Sequence, residues 1–304
     1  MYQYSVIQWL FFFYFYCFFG WVFESAFVSV KSRKFVNRGF MRGPFLPIYG
    51  SGAIMMLVVS MPFQDHIFLT YIAGCIGATA LELVTGILME SLFKVRYWDY
   101  SDQKFNYKGH ICLSSTIAWG FLTILMTEFV HRGVEQAVSL IPYRVITVVT
   151  LVLTVYIIID FTLSFKAAMD LRDVLIGLEK AKQEMERIQK RLDVLIAVAN
   201  EEIETRRQEN SMRMDELTES IEAKFASLKE RFRISPPEFM ADVRDEILDL
   251  RSRYSVEKEQ RQQFKGLKDF YQRSLIKGNP GMYSKRFGEA LEELKKAANE
   301  WKKK

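Results

Sequence analysis

Residues 37–50 read Asn37-Arg38-Gly39-Phe40-Met41-Arg42-Gly43-Pro44-Phe45-Leu46-Pro47-Ile48-Tyr49-Gly50. The stretch joins two very apolar segments. Gly39, Gly43 and Gly50 permit positive φ, while Pro44 and Pro47 fix φ and lack an N–H. Two cations, Arg38 and Arg42, sit among them. A plain inter-helix loop needs none of this. The stretch reads as a shaped, anion-friendly turn at a membrane surface.

The segments on either side support that reading. A membrane-crossing helix needs about 20 mostly apolar residues. Five segments qualify, near 5–29, 46–63, 67–93, 111–130 and 144–165; the second is short and Gly-rich. Of the 41 Lys+Arg and 36 Asp+Glu in 304 residues, only 11 and 9 fall within 1–165. The remainder forms a charged, helix-patterned half. The expected architecture is an all-α integral membrane protein with a five-span domain over 1–165. A coiled-coil helix over 166–234 and a helical region over 235–304, ending in a hairpin, would follow it.

Positive charge sets the expected orientation. Lys31, Arg33, Lys34, Arg38 and Arg42 follow the first span, and Lys94, Arg96, Lys104 and Lys108 follow the third. No Lys or Arg lies between the second and third spans. The alternation puts the N-terminus outside and the C-terminus in the cytoplasm of a multi-pass cell-membrane protein. No Lys or Arg precedes the first apolar run, so a cleavable signal is not expected. Cys17, Cys75 and Cys112 are scattered in apolar segments, which suits neither a disulfide framework nor a metal site. Residues 251–304 hold 15 basic against 7 acidic side chains. Beside a membrane, such a tail reads as facing anionic lipid rather than nucleic acid.

Four acids lie inside the apolar segments, all toward the side where the basic loops fall: Glu24, Glu82, Glu90 and Asp160. A carboxylate in hydrocarbon costs on the order of 3 kcal/mol, so such residues face a bundle interior or water. Glu90 and Asp160 also suit local bonding at headgroup depth. In the third span Gly74, Ala78, Glu82, Gly86 and Glu90 recur every four residues and form one ridge of a helix. That ridge is either a packing surface whose acids meet polar groups on a neighbour, or the wall of a functional cavity. The fourth span opens with Ser114, Ser115 and Thr116, followed by Trp119. The loop at 94–110 brings Trp98, Asp99, Tyr100 and Asn106. Trp98 and the tyrosines suit an interface belt, while Asp99 could pair with Arg38 or Arg42. The candidate polar cluster is therefore Glu24, Asn37, Arg38, Arg42, Tyr49, Glu82, Glu90, Trp98, Asp99 and Asn106.

Taken in order, several groups of residues resemble one family. They are Phe19-Gly20-Trp21 with Glu24-Ser25, Asn37-Arg38-Gly39 with Arg42-Gly43-Pro44, and Pro47-Ile48-Tyr49-Gly50. Glu82, Gly86 and Glu90 follow, then Trp98-Asp99-Tyr100-Ser101, Asn106, Gly109-His110-Ile111-Cys112 and Ser115 with Trp119-Gly120. Together they resemble the ABC-transporter permease family CmpB, type IV, over roughly 10–165. The resemblance implies a multi-span permease-like protein and carries no substrate and no catalytic residue. The chain has no Gly-x-x-x-x-Gly-Lys-Ser/Thr phosphate loop, so a transporter of this kind would need a separate ATPase subunit.

The charged half shows a heptad. Leu171, Leu178, Met185, Leu192 and Ala199 form one series; Val174, Ala181, Ile188 and Leu195 form the other, which breaks at Glu202. A second series runs through Met214, Leu217, Ile221, Phe225, Leu228 and Phe232. A seam of this length over 171–232 fits a coiled coil that joins copies into a homo-oligomer. It also fits an amphipathic helix lying on its own protein or on the membrane. Ser235-Pro236-Pro237 ends this part, and Lys277-Gly278-Asn279-Pro280-Gly281 is a strong turn signal inside the tail.

Three functions remain in view. The first is a membrane permease subunit of an ABC-type transporter with a polar site on its cytoplasmic side. The second is an enzyme acting on lipid headgroups or lipid-linked substrates, with Arg38 and Arg42 on phosphate and Glu24 or Glu82 as base. The third is a membrane scaffold presenting a coiled coil. No nucleophile–His pair and no cofactor motif stands in the sequence, so the enzyme reading is the weaker and no cofactor is expected. Arg38 and Arg42 are either an open anion cradle or a cationic wall already neutralising buried acids.

Overall fold

The computed structural model describes residues 3–200, 214–231, 241–265 and 270–300. It is about 79% helical. The elements in chain order are α1 (Val6–Ser32), α2 (Pro47–Ser60), α3 (Ile67–Phe93), β1 (Asn106–Tyr107), β2 (Ile111–Cys112), α4 (Leu113–Leu125), α5 (His131–Ser139), α6 (Tyr143–Asn200), α7 (Met214–Arg231), α8 (Ala241–Lys265), α9 (Phe270–Gly278) and α10 (Gly288–Glu300). A 3₁₀ turn, Met61–Phe63, extends α2, and a π-helical turn, Met126–Val130, joins α4 to α5.

Among the described residues four helical stretches are long and apolar enough to cross a membrane: Val6–Ser32, Ile67–Phe93, Leu113–Ser139 and Tyr143–Leu195. The helix Pro47–Phe63 is apolar but shorter. Their ends follow from local chemistry. Ser5 and Gln8 form a capping box that starts α1. Pro47 stands in the first turn of α2, where a missing N–H costs nothing. Cys112 and Ser115 cap α4 in the same reciprocal way. Arg33 and Lys94, both left-handed, terminate α1 and α3.

The chain forms two compact units, residues 1–172 with 267–304, and residues 173–266. In the first unit a core of Phe12, Tyr16, Ala53, Met56, Leu57, Ala78, Met126, Val138 and Ile146 draws on α1, α2, α3, the π-helical turn, α5 and α6, with Trp119 of α4 packed against it. Small residues set the approach of the helices. The buried residues of α3 include Gly74, Ala78, Glu82 and Gly86, the expected ridge. A Cβ at Gly74 would lie 2.2 Å from Thr123 Oγ1 of α4, and one at Gly120 would lie 2.5 Å from the Tyr71 ring. The ridge is thus a packing surface that also carries a carboxylate.

Residues 270–300 belong to this first unit, although the sequence places them almost a hundred residues beyond its other members. Arg96 and Tyr283 exchange backbone hydrogen bonds of 2.7 and 3.0 Å, an isolated antiparallel bridge. The Ser284 hydroxyl donates to the Lys94 carbonyl at 2.7 Å and accepts from the Phe287 amide. α9 and α10 touch one another, with Leu275, Ile276, Phe287, Leu291 and Leu294 buried.

The second unit is centred on α6. Met185, Ile188, Leu192 and Leu195 form a core with Ile221 of α7 and Leu250 and Tyr254 of α8; Phe225 and Ile247 pack at its edge. Leu171, Leu178, Ala181, Met185, Ile188 and Leu192 are all buried within one chain. Over these residues the heptad face is therefore already covered within one chain, so its burial does not by itself call for a second copy. The reason is physical: a heptad states that a face must be buried, not which chain buries it. The Glu202 break, Phe232, the Ser235-Pro236-Pro237 break and Leu267 lie outside the described residues.

Candidate functional site

The expected polar residues gather at one end of the first unit, around loops 33–46 and 94–110. Glu82 lies deepest and is 7% exposed. The Tyr100 hydroxyl donates to its Oε1 at 2.9 Å. Trp119 Nε1 donates to its Oε2 at 2.9 Å, and the Ser115 hydroxyl lies 3.2 Å from the same atom. Ser115 and Trp119 are four residues apart, so they share a face of α4. A buried carboxylate is tolerated only when its lone pairs are satisfied, and here both oxygens accept from neutral donors. The Tyr100 hydroxyl is correspondingly a weak acid, pushed up by burial and then by the Glu82 carboxylate.

Glu24 of α1 accepts from the Tyr49 hydroxyl at 2.6 Å and from Arg38 Nε at 3.4 Å. The Arg38 backbone N–H donates to Ser25 Oγ at 3.1 Å, which anchors its main chain to α1. Arg38 Nη1 turns the other way and donates to Asn279 Oδ1 at 2.5 Å and to the Gly278 carbonyl at 3.4 Å. Asn37 is structural: Trp21 Nε1 donates to its Oδ1, and its Nδ2 donates to the Arg42 carbonyl. The Arg42 guanidinium lies 3.8 Å from the centroid of the Phe270 ring. Gly43 N–H donates to Asp160 Oδ2 at 2.8 Å, so this span acid clasps the 33–46 loop. The turn between α1 and α2 is thus a cationic wall for Glu24 at Arg38 rather than an open anion cradle.

A third centre is Arg96, which the candidate cluster did not include. Its Nη2 meets Glu90 at 2.9 Å, and its Nη1 meets Asp99 at 3.3 Å and the Lys108 carbonyl at 2.9 Å. His110 Nε2 lies 3.1 Å from Glu90. The expected pairing of Asp99 with Arg38 or Arg42 is therefore replaced by Arg96, three residues away in the same loop. The Ser101 hydroxyl and amide also donate to Asp99. These bonds and Arg96 hold its carboxyl below the ordinary value, against the upward push of burial. Burial and the Arg96 charge hold His110 below its usual value, against Glu90. The neutral imidazole then presents Nε2–H to Glu90.

The remaining residues of the loop hold its shape. Trp98 Nε1 donates to the His110 carbonyl at 3.0 Å. Asn106 Nδ2 donates to the Ser101 and Gln103 carbonyls, and its Oδ1 accepts from Gly109 N–H. Gly109 has φ 77°, and a Cβ there would lie 2.4 Å from Asp99 Oδ1, so only glycine fits.

Ten expected residues thus resolve into two carboxylate centres, Glu24 and Glu82, and a supporting loop built on Glu90, Arg96 and Asp99. Ser115 and Trp119 stood out as the polar opening of the fourth span and Tyr100 as an interface tyrosine, but nothing in the sequence marked them as donors to Glu82. Asn279 carried no signal beyond a turn. Among the described residues no group of three or more His, Cys, Asp or Glu is placed to hold a metal ion. No curated protein and no solved structure matches the chain. The family described as "Putative ABC-transporter type IV", CmpB, matches residues 11–165, about half of the chain, so this is a member of that family.

Proposed function

We propose that this protein is the membrane permease component of a transporter, with its polar site between Glu24 and Glu82 on the cytoplasmic side of the bundle. The observation that carries the reading is Glu82. It is a carboxylate buried inside a membrane helix bundle and held by three neutral donors rather than by a cation. Acids that persist at such depth mark substrate or ion paths far more often than they mark stability. Family membership and four long apolar helices make this a transport-related membrane protein.

In this proposal the helix Pro47–Phe63 crosses as well. Its 17 residues rise about 26 Å, close to the roughly 30 Å hydrocarbon core. Five crossings then place the N-terminus outside and both basic loops, the tail and the 173–266 unit in the cytoplasm. The ATPase is a separate subunit, since this chain has no phosphate loop. The lipid-headgroup enzyme draws less support: Arg38 is held by Glu24 and Asn279, and Arg42 is stacked on Phe270.

The test is purification of the full chain from its native membranes in mild detergent, with identification of every stoichiometric partner. A co-purifying ATPase is expected, with ATP hydrolysis altered by Glu82→Gln. A chain that isolates alone and is active alone would overturn the proposal.

A further inference from the structure

The segment 270–300 docks on both loops of the candidate site, and one of its side chains reaches the site's own cation. Asn279 is 1% exposed and uses its whole amide. Its Nδ2 donates to the Gly39 and Leu275 carbonyls, both at 2.8 Å, while its Oδ1 accepts from Arg38 Nη1 at 2.5 Å. Gly278 allows this approach, because a Cβ there would lie 2.5 Å from the Asn37 carbonyl. The bridge between Arg96 and Tyr283 fastens the far side.

Arg38 is the link. Its backbone is tied to Ser25, so only its side chain is free to respond. A guanidinium is a rigid planar fork, so fixing one edge fixes the other. Nε faces Glu24 while Nη1 faces Asn279. The two contacts are made at once by opposite ends of one plane and support each other.

We propose that docking of residues 270–300 and the Arg38–Glu24 contact are coupled through Asn279, which acts as a positioning residue. A ligand that draws Glu24 away from Arg38 then loosens the segment, and undocking the segment releases Arg38 from Glu24. Coupling of this kind is reciprocal by thermodynamic necessity. It gives the tail a role as a strap that reports the state of a membrane carboxylate to the surface. This goes beyond the transport reading, stands on geometry alone and is tested without any transport measurement.

The experiment uses full-length protein in nanodiscs carrying Met282→Cys. Met282 is buried in the strap, so a maleimide reaches a cysteine there only during local opening. Labelling rates are read by peptide mass spectrometry at position 282 and, as an internal control, at buried Cys17 in α1. Asn279→Ala should raise the rate at 282 by about fivefold or more, the low end of measured coupling strengths. Glu24→Gln, which changes no group of the strap, should raise it comparably. In an Arg38→Ala background Glu24→Gln should add nothing. The proposal fails if Glu24→Gln leaves the parent rate unchanged while Asn279→Ala raises it. It fails equally if Cys17 labelling rises in step with position 282, which would mean general loosening. Full-rate labelling at 282 in the parent would show that the strap does not dock.

Discussion

The Tyr100 hydroxyl donates a 2.9 Å hydrogen bond to Glu82 Oε1, so a residue of an extramembrane loop completes the shell of an acid in the middle of α3. Loop and bundle are therefore one energetic unit at this point.

Tyr100→Phe keeps the ring and removes the donor. It leaves one oxygen of a buried carboxylate unpaired, which costs about 1–3 kcal/mol. Thermal unfolding in detergent should drop by several degrees, at roughly 2–4 °C per kcal/mol for a domain of this size. Trp119→Phe should cost less, because the Ser115 hydroxyl still reaches the other oxygen. An unchanged midpoint in both variants would show that Glu82 finds other donors.

Gly74 and Gly52 should respond oppositely to alanine. A methyl at Gly74 meets Thr123, whereas among the described residues nothing beyond the adjoining turns of its own helix lies within 4 Å of a methyl at Gly52. Gly74→Ala should separate α3 from α4 and destabilise by about 1–3 kcal/mol. Gly52→Ala should be neutral or stabilise by up to about 1 kcal/mol through helix propensity. Unfolding midpoints of the two variants, measured side by side, decide it.

Acid should weaken the loop in two stages. His110 is held below its usual value, so the folded chain binds its proton less readily than the unfolded chain. Stability is level above about pH 6.5 and declines as pH falls below it. Asp99 is also held low in the folded chain. Its contribution is present above the ordinary carboxylate value of about 3.9 and is lost as pH falls through the folded value. Unfolding midpoints between pH 8 and about 2 should show both declines, and His110→Gln should lessen the first. A midpoint that rises on acidification in that first window would contradict the burial of a neutral imidazole.

Leu192→Ala should damage the second unit alone. Leu192 is fully buried among Ile188, Ile221, Leu250 and Tyr254. Truncation there costs about 2–5 kcal/mol. Limited proteolysis should cut faster within 173–266 while leaving fragments of the first unit intact. Equal loss of both units would mean that they unfold together.

Much of this architecture was readable from local pattern. The 67–93 segment is α3 to the residue, because a long apolar run between charged loops has few alternatives. The four-residue ridge located the face of α3 that packs and the depth of Glu82. What the pattern could not supply was partner choice. Asp99 met Arg96 instead of Arg38, since a tight turn brings a neighbour closer than any distant cation. The α6 heptad found its partners in α7 and α8 of the same chain. Asn279 and Gly39 lie 240 residues apart, and nothing local in either marks the other. The identity of the buried acids was legible from hydropathy; their donors came from three separate elements and were not.

The strap also sets an order of events in biosynthesis. The Gly39 carbonyl and the Arg96 backbone find partners in residues 279 and 283. The bundle helices up to Arg172 leave the ribosome well before those partners exist. At about 5–20 residues per second the interval is roughly five to twenty seconds. During that time Arg38 lacks Asn279, so its contact with Glu24 is weakened, and the face that the strap covers stays open. The nascent protein therefore passes through an inserted but unstrapped form on every round of synthesis, and a chain cut short before residue 279 would be held in that form.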